Sequence, residues 1–219
     1  MQTITPDLFE NPADPWNERI GDGSMLLHGF ALAQEEALLA ALRGVIAEAP
    51  FRRMQTPGGH TMSVATTSCG HLGWMTDRRG YRYVTADPLR EQAPWPAMPP
   101  LLATLAEQAA AQAGFPAFRP DSCLINRYVP GAKMSLHQDK DEADFSQPIV
   151  SVSLGLPAVF QFGGLARSDK AQRYLLTHGD VVVWGGPDRL RFHGVLPIKP
   201  GEHPRMGAQR INLTFRVAG

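Results

Sequence analysis

Apolar residues along this chain change their spacing twice, and the changes divide it into stretches. Between Ala33 and Ala49, Leu38, Leu42, Val45 and Ile46 recur at the spacing of one helix face, with Glu35 and Glu36 in the first turn and Pro50 at the end. A second run behaves likewise. Pro99-Pro100 suits a first helical turn, Leu101, Leu102 and Leu105 mark one face, alanines favour helix over 103–113, and Gly114 follows the last turn. Beyond it the pattern shortens to strands bounded by Pro, Gly or Asp. These are Ser122–Tyr128, Ile149–Leu154, Val159–Phe162, Tyr174–Thr177, Val181–Trp184, Phe192–Leu196 and Arg210–Val217. Two helices and then at least seven short strands predict a mainly β fold with flanking α-helices, a double-stranded β-helix or jelly roll.

The remaining stretches complete one continuous domain. Residues 1–24, broken by Pro6, Pro12 and Pro15, read as an irregular N-terminal arm. Residues 25–98 hold the first helix and then short extended pieces rich in Gly, Arg and aromatics, a composition more typical of a binding surface than of a core, and are expected to form a lid. Residues 99–219 hold the second helix and the jelly roll. A chain of 219 residues is long enough to bury a full core.

The last strand carries the first hint of chemistry. In Arg210–Val217 the odd positions are apolar and the even ones are Arg210, Asn212, Thr214 and Arg216. On an open sheet that polar face would meet solvent. In a jelly roll it turns inward, where a buried arginine needs an anionic partner, and a dicarboxylate would supply one. Asn126 and Tyr128, two apart on Ser122–Tyr128, share one face of their strand in the same way.

Composition narrows the class. Lys and Arg total 21 against 21 acidic residues, which argues against a protein that coats nucleic acid. Between Arg43 and Arg90, however, seven arginines face three acidic residues, a local excess of +4. Cys69 and Cys123 lie far apart without a CxxC pair, so no disulfide framework or zinc site is expected and a reducing compartment fits. The N-terminus lacks the basic and apolar regions of a signal peptide, and no apolar run reaches the ~20 residues of a membrane span. A cytoplasmic monomer without a membrane partner is the expectation.

In Leu136-His137-Gln138-Asp139, the His and Asp side chains point the same way if the backbone is extended. With His193 as a third donor they make two histidines and one carboxylate on one face of a metal, the arrangement of non-heme Fe(II) oxygenases.

Taken in order, Leu124-Ile125-Asn126-Arg127-Tyr128, Pro130-Gly131, Leu136-His137-Gln138-Asp139-Lys140-Asp141, His193 and Arg210-X-Asn212-Leu213-Thr214-Phe215-Arg216 resemble the AlkB family, and its bacterial members most. The likeness runs from about Trp16 onward and includes Pro57-Gly58-Gly59, Gly70-His71-Leu72-Gly73-Trp74 and Asp180-Val181-Val182-Val183-Trp184. The family's members are Fe(II)- and 2-oxoglutarate-dependent dioxygenases that demethylate alkylated bases. The resemblance implies Fe(II), 2-oxoglutarate and O2 as cofactors and cosubstrates, with formaldehyde, succinate and CO2 as products. It implies His137, Asp139 and His193 as catalytic metal ligands and Asn126, Tyr128, Arg210, Asn212 and Arg216 as the 2-oxoglutarate site, without assigning either arginine to either carboxylate. Trp74, Tyr81, Tyr83, Asp141 and Arg167, with Thr56 and Met62 from the lid, would contact the substrate, and His137 would also face the base. Alkylated DNA, single- or double-stranded, is the implied partner, with RNA as an extension. One departure stands in the lid: His60 follows Pro57-Gly58-Gly59 where the family pattern has tyrosine. Two other readings use the same motifs. One is a 2-oxoglutarate-dependent hydroxylase of a protein or small molecule, the other a non-enzymatic jelly roll with a structural metal.

Overall fold

A computed structural model describes residues 16–219. The described chain begins with the hairpin β1 (Asn17–Gly21) and β2 (Ser24–Leu27), followed by helix α1 (Glu35–Glu48). Then come β3 (Ala65–Gly70), the hairpin β4 (Gly73–Asp77) and β5 (Gly80–Val84), and the short pair β6 (Ala86–Asp87) and β7 (Ala93–Pro94). After helix α2 (Pro100–Gln112) come strands β8 (Ser122–Tyr128), β9 (Met134–His137), β10 (Ile149–Gly155) and β11 (Ala158–Phe162). The last four are β12 (Gln172–Leu176), β13 (Val181–Trp184), β14 (His193–Val195) and β15 (Arg210–Arg216).

These strands form a seven-stranded sheet in the order β1-β2-β13-β10-β15-β8-β3, faced by a four-stranded sheet in the order β12-β11-β14-β9. Both helices pack on the outer side of the large sheet. α1 buries Leu38, Leu39, Leu42 and Val45 there, and α2 buries Leu102, Leu105, Ala106, Ala109 and Ala110. The C-terminus of α2 is closed by two backbone bonds, Phe115 N–H to Ala110 C=O at 2.8 Å and Gly114 N–H to Ala111 C=O at 3.1 Å. They require the left-handed φ of +96° at Gly114. β15 lies between β10 and β8 and is buried along its whole length. Its residues Ile211, Leu213 and Phe215 join the helix-side core, so the polar alternate positions turn into the space between the two sheets. The inward face expected from the alternation is present.

Three expectations change. The irregular arm does not extend to residue 24, because Asn17–Gly21 and Ser24–Leu27 pair and β2 joins β13 in the large sheet. The cause is local: Asp22-Gly23 makes a two-residue hairpin turn, and Ile20, Leu26 and Leu27 are buried. Residues 1–15 of the expected arm lie outside the described residues. Met134–His137 adds a strand between α2 and the C-terminus that its short mixed pattern hid. Within 51–98, β4–β5 is a hairpin with its own small core of Met54, Met75 and Trp95, against which Met62, Trp74 and Val84 pack. Among the described residues, no helix is long and apolar enough to cross a membrane.

Candidate active site

The two histidines are brought together by strand register. His137 ends β9, His193 begins β14, and the two are partners in that antiparallel ladder, with ring centroids 4.4 Å apart. Asp139 follows two residues later, its Oδ1 3.6 Å from His137 Nε2 and its Oδ2 3.7 Å from His193 Nε2. One donor atom from each residue lies within 4.8 Å of the other two. Each imidazole is oriented alike: His137 Nδ1 lies 2.9 Å from the Ser135 carbonyl and His193 Nδ1 3.0 Å from that of Arg191. With Nδ1–H donating, Nε2 keeps its lone pair for the centre of the cluster.

Protonation suits the same role. Burial, followed by the charge of His137, brings His193 down to about 4, so its imidazole is neutral near pH 7 and free to act as a donor. Burial pushes the Asp139 carboxyl up, but Arg216 and then the histidines outweigh it and hold it well below the usual carboxylate range. His137 shifts the other way: burial pushes its pKa down, but the hydrogen bond and charge of Asp139 outweigh that and raise it. Two imidazoles and a carboxylate on one side of a cavity match the donor set that suits Fe(II).

Next to this cluster lies unsatisfied positive charge. Arg210 is 1% exposed, sits over the Tyr128 ring at 5.0 Å and donates Nη2–H to Ser153 Oγ at 3.0 Å. Its Nε and Nη1 have no partner among the described residues. Burial pushes its pKa down, and the neighbouring Tyr128 offsets only part of that. A buried cation with two idle donors is costly, so the site is short of an anion. Arg216 differs: it holds Asp139 through Nε at 3.1 Å and Nη2 at 2.6 Å and approaches Glu142 at 3.1 Å, leaving only Nη1 unpartnered. Asn126 Oδ1, an acceptor, also lacks a partner among the described residues, whereas Asn212 is occupied with Ser151, Val152 and Thr214. The idle donors cluster beside the carboxylate-histidine group, which fits a dicarboxylate spanning from Arg210 toward the metal site.

The mouth of the cavity is aromatic and acidic. Trp74 and Tyr81 on the β4–β5 hairpin stack at 5.7 Å between centroids with planes 17° apart, and Trp74 Nε1–H donates to Asp141 Oδ2 at 3.0 Å. The rings are too close for a base to slide between them, so they offer one continuous face rather than a slot. Arg167 lies over Phe192 and donates to the Leu136 carbonyl at 2.7 Å. Tyr83 does not present its hydroxyl to the cavity as a free group, because it donates to Glu142 at 2.7 Å.

All candidate residues named from the sequence, Thr56 and Met62 included, line one cavity of about 700 Å³ between the two sheets and the hairpin. A second cavity of about 700 Å³ lies beneath Trp95 and Met98. Its carboxylate, Asp121, is already taken by the Ala218 and Gly219 amides, so no comparable chemistry gathers there. Sequence reasoning missed Glu142, which lines the cavity, and Arg189, which pairs with it at 3.0 Å from behind that wall. No local pattern marks them, since they are 47 residues apart and each looks like an ordinary loop charge.

Comparison with known proteins places residues 23–216 within the model of the 2OG-Fe(II) oxygenase superfamily. Over 212 residues the chain is 58% identical to the alpha-ketoglutarate-dependent dioxygenase AlkB of Salmonella typhimurium, covering 97% of each. The Escherichia coli K12 protein of the same name is 58% identical over 213 residues, covering 97% of this chain and 98% of that one. Among solved structures, "The structure of OsALKBH1" matches with a TM-score of 0.77 at 30% identity, over 92% of this chain and 99% of the other.

Proposed function

The chain belongs to the 2OG-Fe(II) oxygenase superfamily, and from that premise we propose that it removes methyl groups oxidatively from alkylated nucleic-acid bases. Bases of the 1-methyladenine and 3-methylcytosine type, in DNA and by extension RNA, are the proposed substrates.

In this reading His137, Asp139 and His193 hold Fe(II). Arg210, with its idle donors, takes the 2-oxoglutarate carboxylate far from the metal together with Tyr128 and Asn126, and Arg216, against Asp139, serves the near end. When bound, the iron and 2-oxoglutarate supply, with O2, the oxidation of the N-methyl carbon that ends in formaldehyde, succinate and CO2.

The protein's own contribution is placement. Methylation at N1 of adenine or N3 of cytosine blocks the pairing edge, so the lesion is cheaper to unstack into a pocket. It also leaves the base cationic. Trp74 and Tyr81 give it a π-face, and Asp141, oriented by the Trp74 N–H, gives it a counter-charge. Phe160 and Trp184 pack around His193 at 6.1 and 4.9 Å and keep bulk water from the inner side of the ligand cluster. Thr56 and Met62 make the lid over the opposite rim, with His60 exposed at its turn. Residues 25–98 serve as the recognition segment and 99–219 as the catalytic core. The two free, buried cysteines support a reducing, cytoplasmic setting, and a monomer holds a complete site.

The observation that carries this reading is the aromatic and acidic mouth directly above the His-Asp-His floor. The test is formaldehyde and succinate release on a panel of methylated oligonucleotides. Stoichiometric formaldehyde from 1-methyladenine and 3-methylcytosine is expected. Succinate without any oligonucleotide-dependent formaldehyde would move the substrate to a protein or small molecule.

A further inference from the structure

Residues 138–148, which carry Asp139 and Asp141, form neither helix nor strand, yet both residues must be held in place. One side chain does most of the holding. Arg189, 3% exposed, donates Nη1–H to the Asp139 carbonyl at 2.7 Å and Nε–H to the Gln147 carbonyl at 2.9 Å. Its third arm, Nη2, donates to Glu142 Oε2 at 3.0 Å, and its guanidinium lies 5.4 Å from the centroid of the Phe145 ring. Arg189 itself follows the short turn Gly186–Asp188, which is anchored by Asp188 accepting from Gly23 N–H and Ser24 Oγ–H. A single planar fork thus pins the loop at both ends and in the middle to the large sheet.

Glu142 then continues the connection outward. Its Oε1 accepts from the Tyr83 hydroxyl of β5 at 2.7 Å and lies 3.1 Å from Arg216 Nε. From the hairpin to the metal ligand the path is Tyr83–Glu142–Arg189–Asp139, with a branch from Glu142 through Arg216 to Asp139. Every contact is direct. A buried carboxylate shared by two arginines and a phenol is an arrangement whose members depend on one another.

We propose that Arg189 and Glu142 are positioning residues that join the metal-binding loop to the base-holding hairpin, so that loading the metal site sets the hairpin and a loose hairpin is felt at the metal site. The proposal rests on the metal and cosubstrate reading given above. It gives Tyr83 a role as the hairpin's anchor in addition to lining the cavity.

The experiment compares wild type with Arg189→Lys, Glu142→Gln and Tyr83→Phe in the full chain. Mn(II) affinity is measured by titration, and backbone amide exchange over Gly73–Val84 is followed with and without Mn(II) and 2-oxoglutarate. Lysine keeps the charge but cannot fork, so Arg189→Lys should weaken Mn(II) at least tenfold, the scale of lost outer-shell support. In wild type, loading should slow exchange in the hairpin. In Glu142→Gln and Tyr83→Phe that protection should disappear, and because coupling is reciprocal Mn(II) affinity in Tyr83→Phe should also fall, by less than in Arg189→Lys. Turnover supplies a further reading: Tyr83→Phe should raise KM for the oligonucleotide and succinate released per formaldehyde, with KM for 2-oxoglutarate unchanged. Wild-type Mn(II) affinity in a folded Arg189→Lys overturns the proposal, as does loading-dependent protection that survives in Tyr83→Phe. Should Arg189→Lys fail to fold, Tyr83→Phe, which removes one oxygen, decides alone. Wild type that binds Mn(II) and protects its hairpin but releases no formaldehyde would count against the demethylase reading and leave the coupling standing.

Discussion

At the scale of single residues, His193 has the fewest alternatives. It is buried, its Nδ1 is committed to the Arg191 carbonyl, and its pKa of about 4 leaves it neutral. His193→Ala should therefore abolish formaldehyde release and weaken Mn(II) binding by more than tenfold, with the far-UV spectrum unchanged. Retained turnover would remove it from the ligand set. Asp141 is the opposite case, exposed at the rim and held only by the Trp74 indole. Asp141→Asn keeps an oxygen for that bond and deletes only the charge. The cost should fall on cationic lesions, about 1 kcal/mol or roughly fivefold in kcat/KM for 1-methyladenine and 3-methylcytosine relative to neutral 1-methylguanine. Equal losses on all three in one single-stranded context would mean that Asp141 shapes the rim without reading charge. These two residues were legible in the sequence because a motif carries them. Glu142 and Arg189 were not, since burial and a partner 47 positions away are properties of the folded chain alone.

Elements were legible in proportion to how far their pattern is local. Val181–Trp184 and Ser122–Tyr128 have the bounds expected of them because each is an unbroken run ended by a turn residue. Met134–His137 was hidden because its four residues mix burial states and its partner, His193, lies in another part of the chain. The β1–β2 hairpin had a signal, Asp22-Gly23, which the prolines before it outweighed in the reading of residues 1–24. Gly114 allows an element-level test. A Cβ there would meet nothing within 4 Å, so substitution acts only through the φ of +96°. Gly114→Ala should destabilise the protein by about 1 kcal/mol, seen as a lower denaturant midpoint with an unchanged slope. Specific activity at 25 °C should not move, because the α2 terminus packs on the side of the large sheet away from the cavity. A drop in activity without a drop in midpoint would place α2 in the site's energetics after all.

At the scale of the whole molecule, the site is maintained against stability. The space between the sheets holds Arg210 and Arg216, both buried, and only Arg216 finds carboxylates of the protein to face. Arg210 has two donors without a partner among the described residues, a cost to the fold that a bound anion would relieve. Two consequences of opposite sign follow. First, 2-oxoglutarate with Mn(II), at about one hundred times its Kd, should stabilise the protein by about 2.7 kcal/mol. For a chain of 219 residues that corresponds to a rise in Tm of roughly 5–10 °C. Second, Arg210→Met replaces the buried cation with an apolar group of similar reach, so the ligand-free variant should melt no lower than wild type, and higher if the charge is as poorly compensated as its contacts indicate. The same variant should lose most of the 2-oxoglutarate-dependent rise while keeping Mn(II) affinity, because the metal ligands are untouched. Melting curves of both proteins under three conditions, apo, Mn(II) alone and Mn(II) with 2-oxoglutarate, separate the two effects. A ligand-free Arg210→Met that melts several degrees lower would mean that Arg210 is paid for by the protein itself, and an undiminished 2-oxoglutarate shift would place the dicarboxylate elsewhere in the cavity.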